Sequence, residues 1–166
     1  MLSCACILVA RGDGLVKSLG FAFSKGDVRW TLVTGSQLVP TFVERGREQY
    51  ANSYEGRELI NWFYRTLTEI VQRSDCDAVT VRLAWKIRNQ QQAYNLIFPC
   101  ALAAQVCADR KVVCTTLGSQ TITAKALGFP KGADLYQHCS GLIGSYPPNW
   151  DKKQIDSALT AILGLR

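Results

Sequence analysis

A short apolar stretch rich in β-branched residues, Ala-Val-Thr-Val-Arg-Leu-Ala, occupies residues 78–84. An acidic turn at residues 75–77 precedes it, and a long amphipathic pattern lies on each side. This arrangement predicts a buried central strand of an α/β sheet, placed between two helices. Arg82 is the exception in the stretch, because a guanidinium cannot remain unpaired in a protein core. We therefore expect Arg82 to reach the end of the sheet, a partner carboxylate or a phosphate.

Runs with strand composition, separated by glycine-containing turns, precede this stretch. The turns fall at residues 11–14 and 25–27, and the predicted strands span residues 3–10, 19–24 and 28–34. Three strands so closely spaced predict an antiparallel meander. Residues 35–53 have weak periodicity and contain Pro40, so we predict a loop with some helix there, which is a candidate for a mobile or partner-binding segment.

Apolar residues at spacings of three and four predict helices in the rest of the chain. The first begins near Ser53, and the second covers residues 90–108 with a kink or a boundary near Phe98, because Pro99 interrupts it. A short strand is predicted at residues 111–115, and the remaining helices are predicted at residues 118–127, 132–143 and 151–163. This element order belongs to the α/β class, and a chain of 166 residues is long enough for one domain over residues 1–166.

The composition of the chain restricts which cellular compartment and which binding partners are expected. The formal net charge of +6 permits a nucleic-acid partner without demonstrating one, since the positive residues are scattered. The seven cysteines form no Cys-x-x-Cys or cysteine–histidine ligand pattern, so we predict buried, reduced thiols. The N-terminus lacks the basic region of a signal peptide, and no apolar run reaches the roughly 18 residues that cross a bilayer. We therefore expect a cytoplasmic protein that does not bind membranes.

The single histidine, His138, has no serine or cysteine nucleophile in a recognisable elbow near it, which argues against a catalytic triad. The glycine-containing turns match neither a P-loop nor a dinucleotide-binding motif. These observations disfavour the commonest hydrolase and nucleotide-binding chemistries.

Gly12-Asp13-Gly14 is a glycine-flanked acidic turn, and Gly20-Phe21-Ala22 follows it at the start of a predicted strand. This pair resembles the Asp-Pro-Gly turn and the Gly-aromatic-Gly strand of the ribonuclease H fold in its Holliday-junction-resolvase branch, the RuvC and YqgF type. Residues 115–128 resemble its strand followed by a Thr-Pro turn and a helix that ends at glycine. Asp151 with Asp156-Ser157-Ala158 resembles its acidic, alanine-rich last helix. The resemblance covers most of the chain in order and implies a ribonuclease H-like mixed sheet with flanking helices.

Members of that branch cleave nucleic acid with two divalent ions held by three or four carboxylates, since hard cations prefer oxygen ligands. On the matching positions, the resemblance implies Asp13, Asp151 and Asp156 as the Mg²⁺ ligands of an active nuclease. Asp13 fits the first-strand position only if that strand is unusually long; otherwise the position holds Ala10. The fourth-strand glutamate position falls at or beside Arg82, whose charge would repel a metal. We therefore expect a degenerate catalytic centre without a metal.

A basic and aromatic cluster accompanies the end of the central strand: Arg82, Trp85, Lys86 and Arg88. If the strand ends near Ala84, these side chains lie at the sheet edge that carries the active site in the resembled fold, where they would contact phosphates. Lys125 extends this predicted nucleic-acid-binding surface. The alternative is a solvated strand exit with Trp85 packed on a neighbouring helix.

Three functions follow from these observations. We favour a catalytically degenerate RuvC-like protein that works as a nucleic-acid-associated or assembly component of a larger complex, with DNA or RNA and protein partners or a second copy of the chain. An active Mg-dependent, structure-specific endonuclease of the Holliday-junction-resolvase type is the first alternative. A purely protein-binding scaffold is the second. The nuclease requires converging carboxylates, the nucleic-acid binder an exposed basic face, and the scaffold a large apolar surface patch.

Overall fold

The computed structural model describes residues 15–83, 88–118 and 120–165, so the strand predicted at residues 3–10 lies outside the described part of the chain. The strands are β1 (Lys17–Ser24), β2 (Asp27–Gly35), β3 (Pro40–Gln49), β4 (Ala78–Leu83) and β5 (Val113–Gly118). The helices are α1 (Gly56–Ser74), α2 (Gln90–Leu96), α3 (Phe98–Arg110), α4 (Leu135–Ile143) and α5 (Lys152–Leu163). None of these helices is both long enough and apolar enough to cross a bilayer.

The five strands form one mixed sheet in the order β3-β2-β1-β4-β5. β1, β2 and β3 pair antiparallel, whereas β4 is parallel to β1 and β5 is parallel to β4. β1 and β4 therefore end on the same side of the sheet, at Ser24 and Leu83, and we call this side the carboxyl edge. The β2–β3 turn lies at the opposite edge, where Gly35 donates a hydrogen bond to the Val16 carbonyl. The predicted mixed sheet, with an N-terminal antiparallel meander and flanking helices, is confirmed.

The boundaries of the meander differ from the predicted ones. It runs over residues 17–49, and the loop expected at residues 35–53 is wrong because β3 occupies Pro40–Gln49. β3 lies at the edge of the sheet and carries charged residues, so it lacks the apolar alternation of a central strand. The helix predicted at residues 118–127 is also wrong, because the described residues there form turns.

Helices cover both faces of the sheet. α1 and α3 pack on the face that includes Phe21, Trp30 and Val81, and α5 packs on the other face with α4 beside it. α2 and α3 are separate helices because Pro99 stands in the first turn of α3 and has no N–H to continue α2. The boundary predicted near Phe98 is therefore confirmed.

α5 lies almost directly on the backbone of the sheet. Its residues from Gln154 to Leu163 are buried, except for the half-buried Asp156. Gly20 of β1 allows this approach, because a Cβ at that position would collide with the backbone of Ser157 and Ala161 in α5. The absence of one methyl group therefore determines how closely the helix packs.

Hydrogen-bonded polar side chains fill much of this close interface. Gln154 donates to the Trp30 carbonyl (2.8 Å) and to Thr31 Oγ1 (2.9 Å). The hydroxyls of Thr31 and Ser157 are 2.7 Å apart. Because buried polar groups require partners, these bonds determine the rotation of α5 about its own axis.

A network of charges joins the start of α5 to the β1–β2 turn at the carboxyl edge. Asp27 is buried, with 3% of its side chain exposed, and accepts hydrogen bonds from Ser24, from Arg29 (3.3 Å) and from Arg47 (2.8 Å). Arg29 also donates to both carboxylate oxygens of Asp151, at 3.2 and 3.0 Å. Asp151 is the N-cap of α5, so the network fixes the end of the helix that faces the carboxyl edge.

The surroundings of Asp27 and Asp151 favour their ionised forms. Burial raises the pKa of Asp27, but the Ser24 hydrogen bond and the neighbouring cations outweigh burial, so its pKa lies below the ordinary value. Burial also opposes ionisation of Asp151, and the Gln154 N–H together with Arg29 lowers its pKa below the ordinary value. Protonating either carboxylate in the folded protein therefore breaks favourable contacts.

The five cysteines in the described residues are free. Four of them are buried: Cys76, Cys100, Cys107 and Cys139. Burial raises the pKa of Cys76, Cys100 and Cys139 to about 12, which leaves them as unreactive thiols at neutral pH. This agrees with the prediction of buried, reduced cysteines for the residues that the structure describes.

Replacing Gly20 with alanine should lower the free energy of unfolding by at least about 1–3 kcal/mol, because the added methyl group forces α5 away from β1. Gly141→Ala is the matched control, since Gly141 lies in α4 with no atom within 4 Å of its Cβ position. That variant should be as stable as the wild type or slightly more stable. Urea unfolding of the three proteins measures the difference, and a Gly20→Ala protein of wild-type stability would contradict the prediction.

Acid should destabilise the wild-type protein more steeply than an Asp27→Asn variant. A lowered pKa in the folded state means that Asp27 stabilises the protein above its unfolded pKa of about 3.9 and loses this contribution as the pH falls through the folded value. At neutral pH the variant should already be less stable by roughly 3–5 kcal/mol, because the buried Arg29 loses a partner. Urea unfolding at several pH values tests both statements. Asp75→Asn, at an exposed position, is the control, and equal acid slopes for wild type and Asp27→Asn would refute the assignment.

Candidate functional site at the carboxyl edge

Arg82 lies near the end of β4 on the face of the sheet that α5 covers. Its Nη1 is 2.6 Å from Oδ1 of Asp156, and the two side chains are 30% and 23% exposed. Arg82 was expected to reach the end of the sheet, a carboxylate or a phosphate, and the structure shows a carboxylate partner near the end of β4. The pair is partly shielded from water, so the attraction between the charges is stronger than in an exposed salt bridge.

Asp156 has a second partner from α4. The Tyr136 hydroxyl donates to the same carboxylate oxygen at 3.2 Å. Burial raises the pKa of Asp156 above its ordinary value and outweighs Arg82 and Tyr136, which both favour the carboxylate. Burial and the nearby charge of Asp156 also raise the pKa of Tyr136. The three side chains form a compact hydrogen-bonded group in which the arginine supplies the only positive charge.

The strand beside Arg82 contributes no carboxylate at the same level. β1 and β4 pair through Phe21 and Val81, and one residue further along this register Ala22 is level with Arg82. Ala10 and Asp13, the two residues proposed for the first-strand aspartate position, lie outside the described residues. The residue next to Arg82 on β1 therefore carries only a methyl group.

Both carboxylate oxygens of Asp151 accept hydrogen bonds, although half of the side chain is exposed. One oxygen accepts the N–H of Gln154 at 3.0 Å, as expected for a helix N-cap, and both oxygens accept from Arg29. Two of the three carboxylates proposed as metal ligands, Asp151 and Asp156, are thus each bound to an arginine.

The donors in the described residues do not fit the two divalent ions that the family resemblance implies, and Asp13 lies outside those residues. Such ions need several carboxylates converging on one point. In residues 15–83, 88–118 and 120–165, no group of three or more histidine, cysteine, aspartate or glutamate side chains could hold a metal ion. A guanidinium lies against Asp156 where a cation would have to lie. In the described part of the site, the positive charge beside Asp156 is therefore supplied by the Arg82 side chain.

The predicted nucleic-acid-binding residues do not all lie together. Arg88 is exposed just before α2, near the end of β4, whereas Trp85 and Lys86 lie outside the described residues. Lys125 is exposed near the opposite edge, because the neighbouring Ala126 carbonyl accepts from Gln37 in the β2–β3 turn. The structure thus brings Arg82 and Arg88 to the carboxyl edge and places Lys125 away from them.

Other cations at the carboxyl edge had weaker signals in the sequence. Lys25 is exposed in the β1–β2 turn, and Lys153 lies 3.0 Å from Ser24 Oγ. Lys152 is exposed with its Nζ 5.7 Å from the centre of the Tyr136 ring. The sequence analysis did not identify the ion pair between Asp27 and Arg29. Its signal was two opposite charges two residues apart in an apolar strand, because such residues lie on the same face of the sheet.

His138 has no catalytic surroundings in the described residues. Its ring is exposed on α4 and lies 5.1 Å from the ring of Phe129. This is an ordinary surface aromatic contact.

Of the comparisons with known proteins, the one with solved structures found matches, and these share the arrangement of the sheet. No family profile matches the chain, and no curated protein matches it. Among solved structures, RuvC of Thermus thermophilus in complex with a Holliday junction substrate is similar at 14% identity, covering 89% of this chain and 91% of that one, with a TM-score of 0.73. Another structure of Thermus thermophilus RuvC gives 13% identity, coverage of 89% and 92%, and a TM-score of 0.73.

The yeast mitochondrial Holliday junction resolvase Ydc2 is also similar, at 8% identity, with 89% of this chain and 76% of that chain covered and a TM-score of 0.69. The structural similarity shows a common fold, and at identities this low it shows nothing beyond the fold. The chain therefore has a ribonuclease H-like fold of the RuvC type.

Proposed function

We propose that this chain is a catalytically degenerate RuvC-like protein that binds DNA or RNA at the carboxyl edge of its sheet as a component of a larger complex. The observation that carries the proposal is the ion pair between Arg82 and Asp156. The family resemblance implies metal-binding carboxylates at or beside Arg82 and at Asp156, and these are the two residues that the pair joins. Asp151 supports the same conclusion, because it is bound by Arg29.

The charge at the carboxyl edge supports a polyanionic partner. Three aspartates there are opposed by four cations: Asp27, Asp151 and Asp156 against Arg29, Arg47, Arg82 and Lys153. Lys25, Arg88 and Lys152 are exposed around this network, and Glu55 lies beside Lys25 and offsets its charge, so Arg88 and Lys152 supply the excess. The edge is therefore positive, and the net charge of +6 adds a longer-range attraction for phosphates.

The role of each predicted contact residue follows from its position. Arg88 is exposed, so a phosphate can reach it from solvent. Arg82 is partly exposed but bound to Asp156, so it contributes through its field or through its remaining N–H groups. Lys125 lies near the opposite edge, so it would contact only a nucleic acid long enough to pass along the protein. Trp85 and Lys86 remain predictions.

A scaffold function is the second candidate, and the β2–β3 turn favours it. Leu38 and Val39 at this turn are both 72% exposed. Contiguous exposed apolar surface indicates a contact with a protein partner or a second copy of the chain when it is large, and these two residues supply part of such a surface. This surface lies at the opposite edge from the basic residues, so it suits the assembly part of the proposal.

The active-nuclease alternative requires Asp13, Asp151 and Asp156 to bind Mg²⁺ together. Asp151 and Asp156 would first have to leave Arg29 and Arg82. Breaking a buried or half-buried ion pair leaves unpaired charges and is costly. This cost is the reason for preferring the degenerate site.

Arg82→Glu should convert the ion pair into two facing carboxylates, which repel each other and lower the melting temperature. Millimolar Mn²⁺ should raise the melting temperature of this variant, because a cation can then bind between the two groups. Arg82→Gln, the matched control, should be destabilised without responding to Mn²⁺. If Mn²⁺ leaves the melting temperature of Arg82→Glu unchanged, the view that the guanidinium excludes the metal is contradicted.

The wild-type protein should gain no stability from Mg²⁺ or Mn²⁺ and should leave labelled four-way-junction, duplex and single-stranded DNA, and matching RNA, uncut on a denaturing gel. Cleavage that disappears in Asp13→Ala or Asp156→Ala would overturn the degenerate-site proposal and establish a nuclease.

Arg88→Ala should weaken binding of labelled single-stranded and junction nucleic acids and reduce the slope of log affinity against log salt by about one. Arg110→Ala removes the same charge at the end of α3, near the opposite edge, and should have little effect. Fluorescence anisotropy at several salt concentrations measures both. Equal losses in the two variants would contradict binding at the carboxyl edge. No binding by the wild type would leave the scaffold function.

A further inference from the structure

A polar cleft opens beside the carboxyl edge, between the first turn of α1 and α2. Its main part has a volume of ≈ 510 Å³ and is open to solvent, since most of its lining residues are exposed. A smaller hollow of ≈ 170 Å³ adjoins it and shares Glu55 and Gln91 with it. We call the two together the amide cleft.

Amide and phenol side chains dominate the lining of the amide cleft. The amides are Asn52, Asn89, Gln90, Gln91 and Asn95, and the phenols are Tyr50, Tyr54 and Tyr94. Each amide offers both a donor and an acceptor, and each tyrosine offers a flat ring. These are the groups that hydrogen-bond to the edge of a nucleobase and stack on its face.

The net charge of the lining favours an uncharged ligand. Lys25 is the cation and Glu55 the anion among the lining residues at neutral pH, and their charges cancel. A phosphate would gain little in a neutral cleft that contains a carboxylate, whereas a neutral polar base would not be repelled. A glutamate can also accept from the amino group of a base.

Several lining groups are already held in place. The Tyr50 hydroxyl donates to Asn95 Oδ1 at 2.9 Å, and Asn95 is buried. The Asn89 side chain accepts the N–H of Gln92 at 2.9 Å, and Gln92 in turn accepts the N–H of Arg88 at 2.8 Å. A cleft whose groups are ordered before binding loses less entropy when a ligand enters.

The cleft lies next to the cations of the proposed binding surface. Lys25, at its rim, belongs to the β1–β2 turn, where Ser24 contacts Lys153, and Arg88 immediately precedes α2. A backbone whose phosphates follow these cations would bring a base to the mouth of the cleft. In a duplex the edges of the bases are paired, so only an unpaired base can enter.

We propose that the amide cleft binds a single unpaired nucleobase of the nucleic acid that the carboxyl edge holds. This inference rests on the proposed nucleic-acid binding and adds to it a preference for strands with unpaired bases. The cations supply affinity for phosphates of any sequence, and the cleft supplies the discrimination between base-bearing and abasic strands.

Anisotropy with labelled single strands of equal length and charge, one base-bearing and one with abasic sites throughout, tests the inference. The wild type should bind the base-bearing strand roughly tenfold more tightly, as expected for one stacked and hydrogen-bonded base. Gln91→Ala and Tyr54→Ala should lose most of this preference while keeping wild-type affinity for the abasic strand. Gln105→Ala, at an exposed position of α3 outside the cleft, is the matched control and should keep the preference.

The possible failures are distinguishable. Equal affinity of the wild type for base-bearing and abasic strands would overturn the base site and leave the proposed binding at the carboxyl edge intact. A preference that survives in both cleft variants would place base recognition elsewhere and likewise overturn the inference. No binding of either strand would refute the proposed function, and the base site with it.

Discussion

The contact between α5 and β1 is the constraint on which the rest of this structure depends. Gly20 lets the backbone of the helix lie against the backbone of the strand, so only small side chains and one amide fit between them. This close packing brings Asp151 and Asp156 within reach of Arg29 and Arg82 on the sheet. With bulkier residues at the contact, the helix would lie further out and both ion pairs would be stretched. Packing at one glycine thus controls the electrostatics of the carboxyl edge.

Arginine and a divalent metal ion can both neutralise clustered carboxylates, but they do so with different consequences. A guanidinium is part of the chain, keeps its charge at any physiological pH and directs its donors in one plane. The carboxylates at this edge are therefore neutralised whether or not metal is available. They hold α5 in place, and the surrounding lysines and Arg88 remain available to other anions. This difference is why we propose that the site holds a phosphate backbone and does not activate water.

Strong periodicity made much of the fold predictable. β4 and α5 were found because each has a clear apolar pattern, and the boundary before Pro99 was found because proline lacks an N–H. β3 was missed because an edge strand carries charges, and the segment after β5 was assigned a helix that it does not form. Arg82 and Asp156 were each singled out, but for different roles. Their pairing spans 74 residues, and that of Arg29 with Asp151 spans 122, so it depends on tertiary packing that no local pattern encodes.

Two different surfaces lie at the two ends of β1, so the length of this strand sets the distance between them. The basic residues and the amide cleft lie where the strand ends, and the exposed Leu38 and Val39 lie beside its beginning. Eight residues of extended chain separate the two surfaces by about 25 Å. A partner that covers the aliphatic turn would therefore leave the basic edge uncovered, and both could be occupied at once. If both proposed surfaces are occupied, the length of the sheet sets the distance between that partner and a bound nucleic acid.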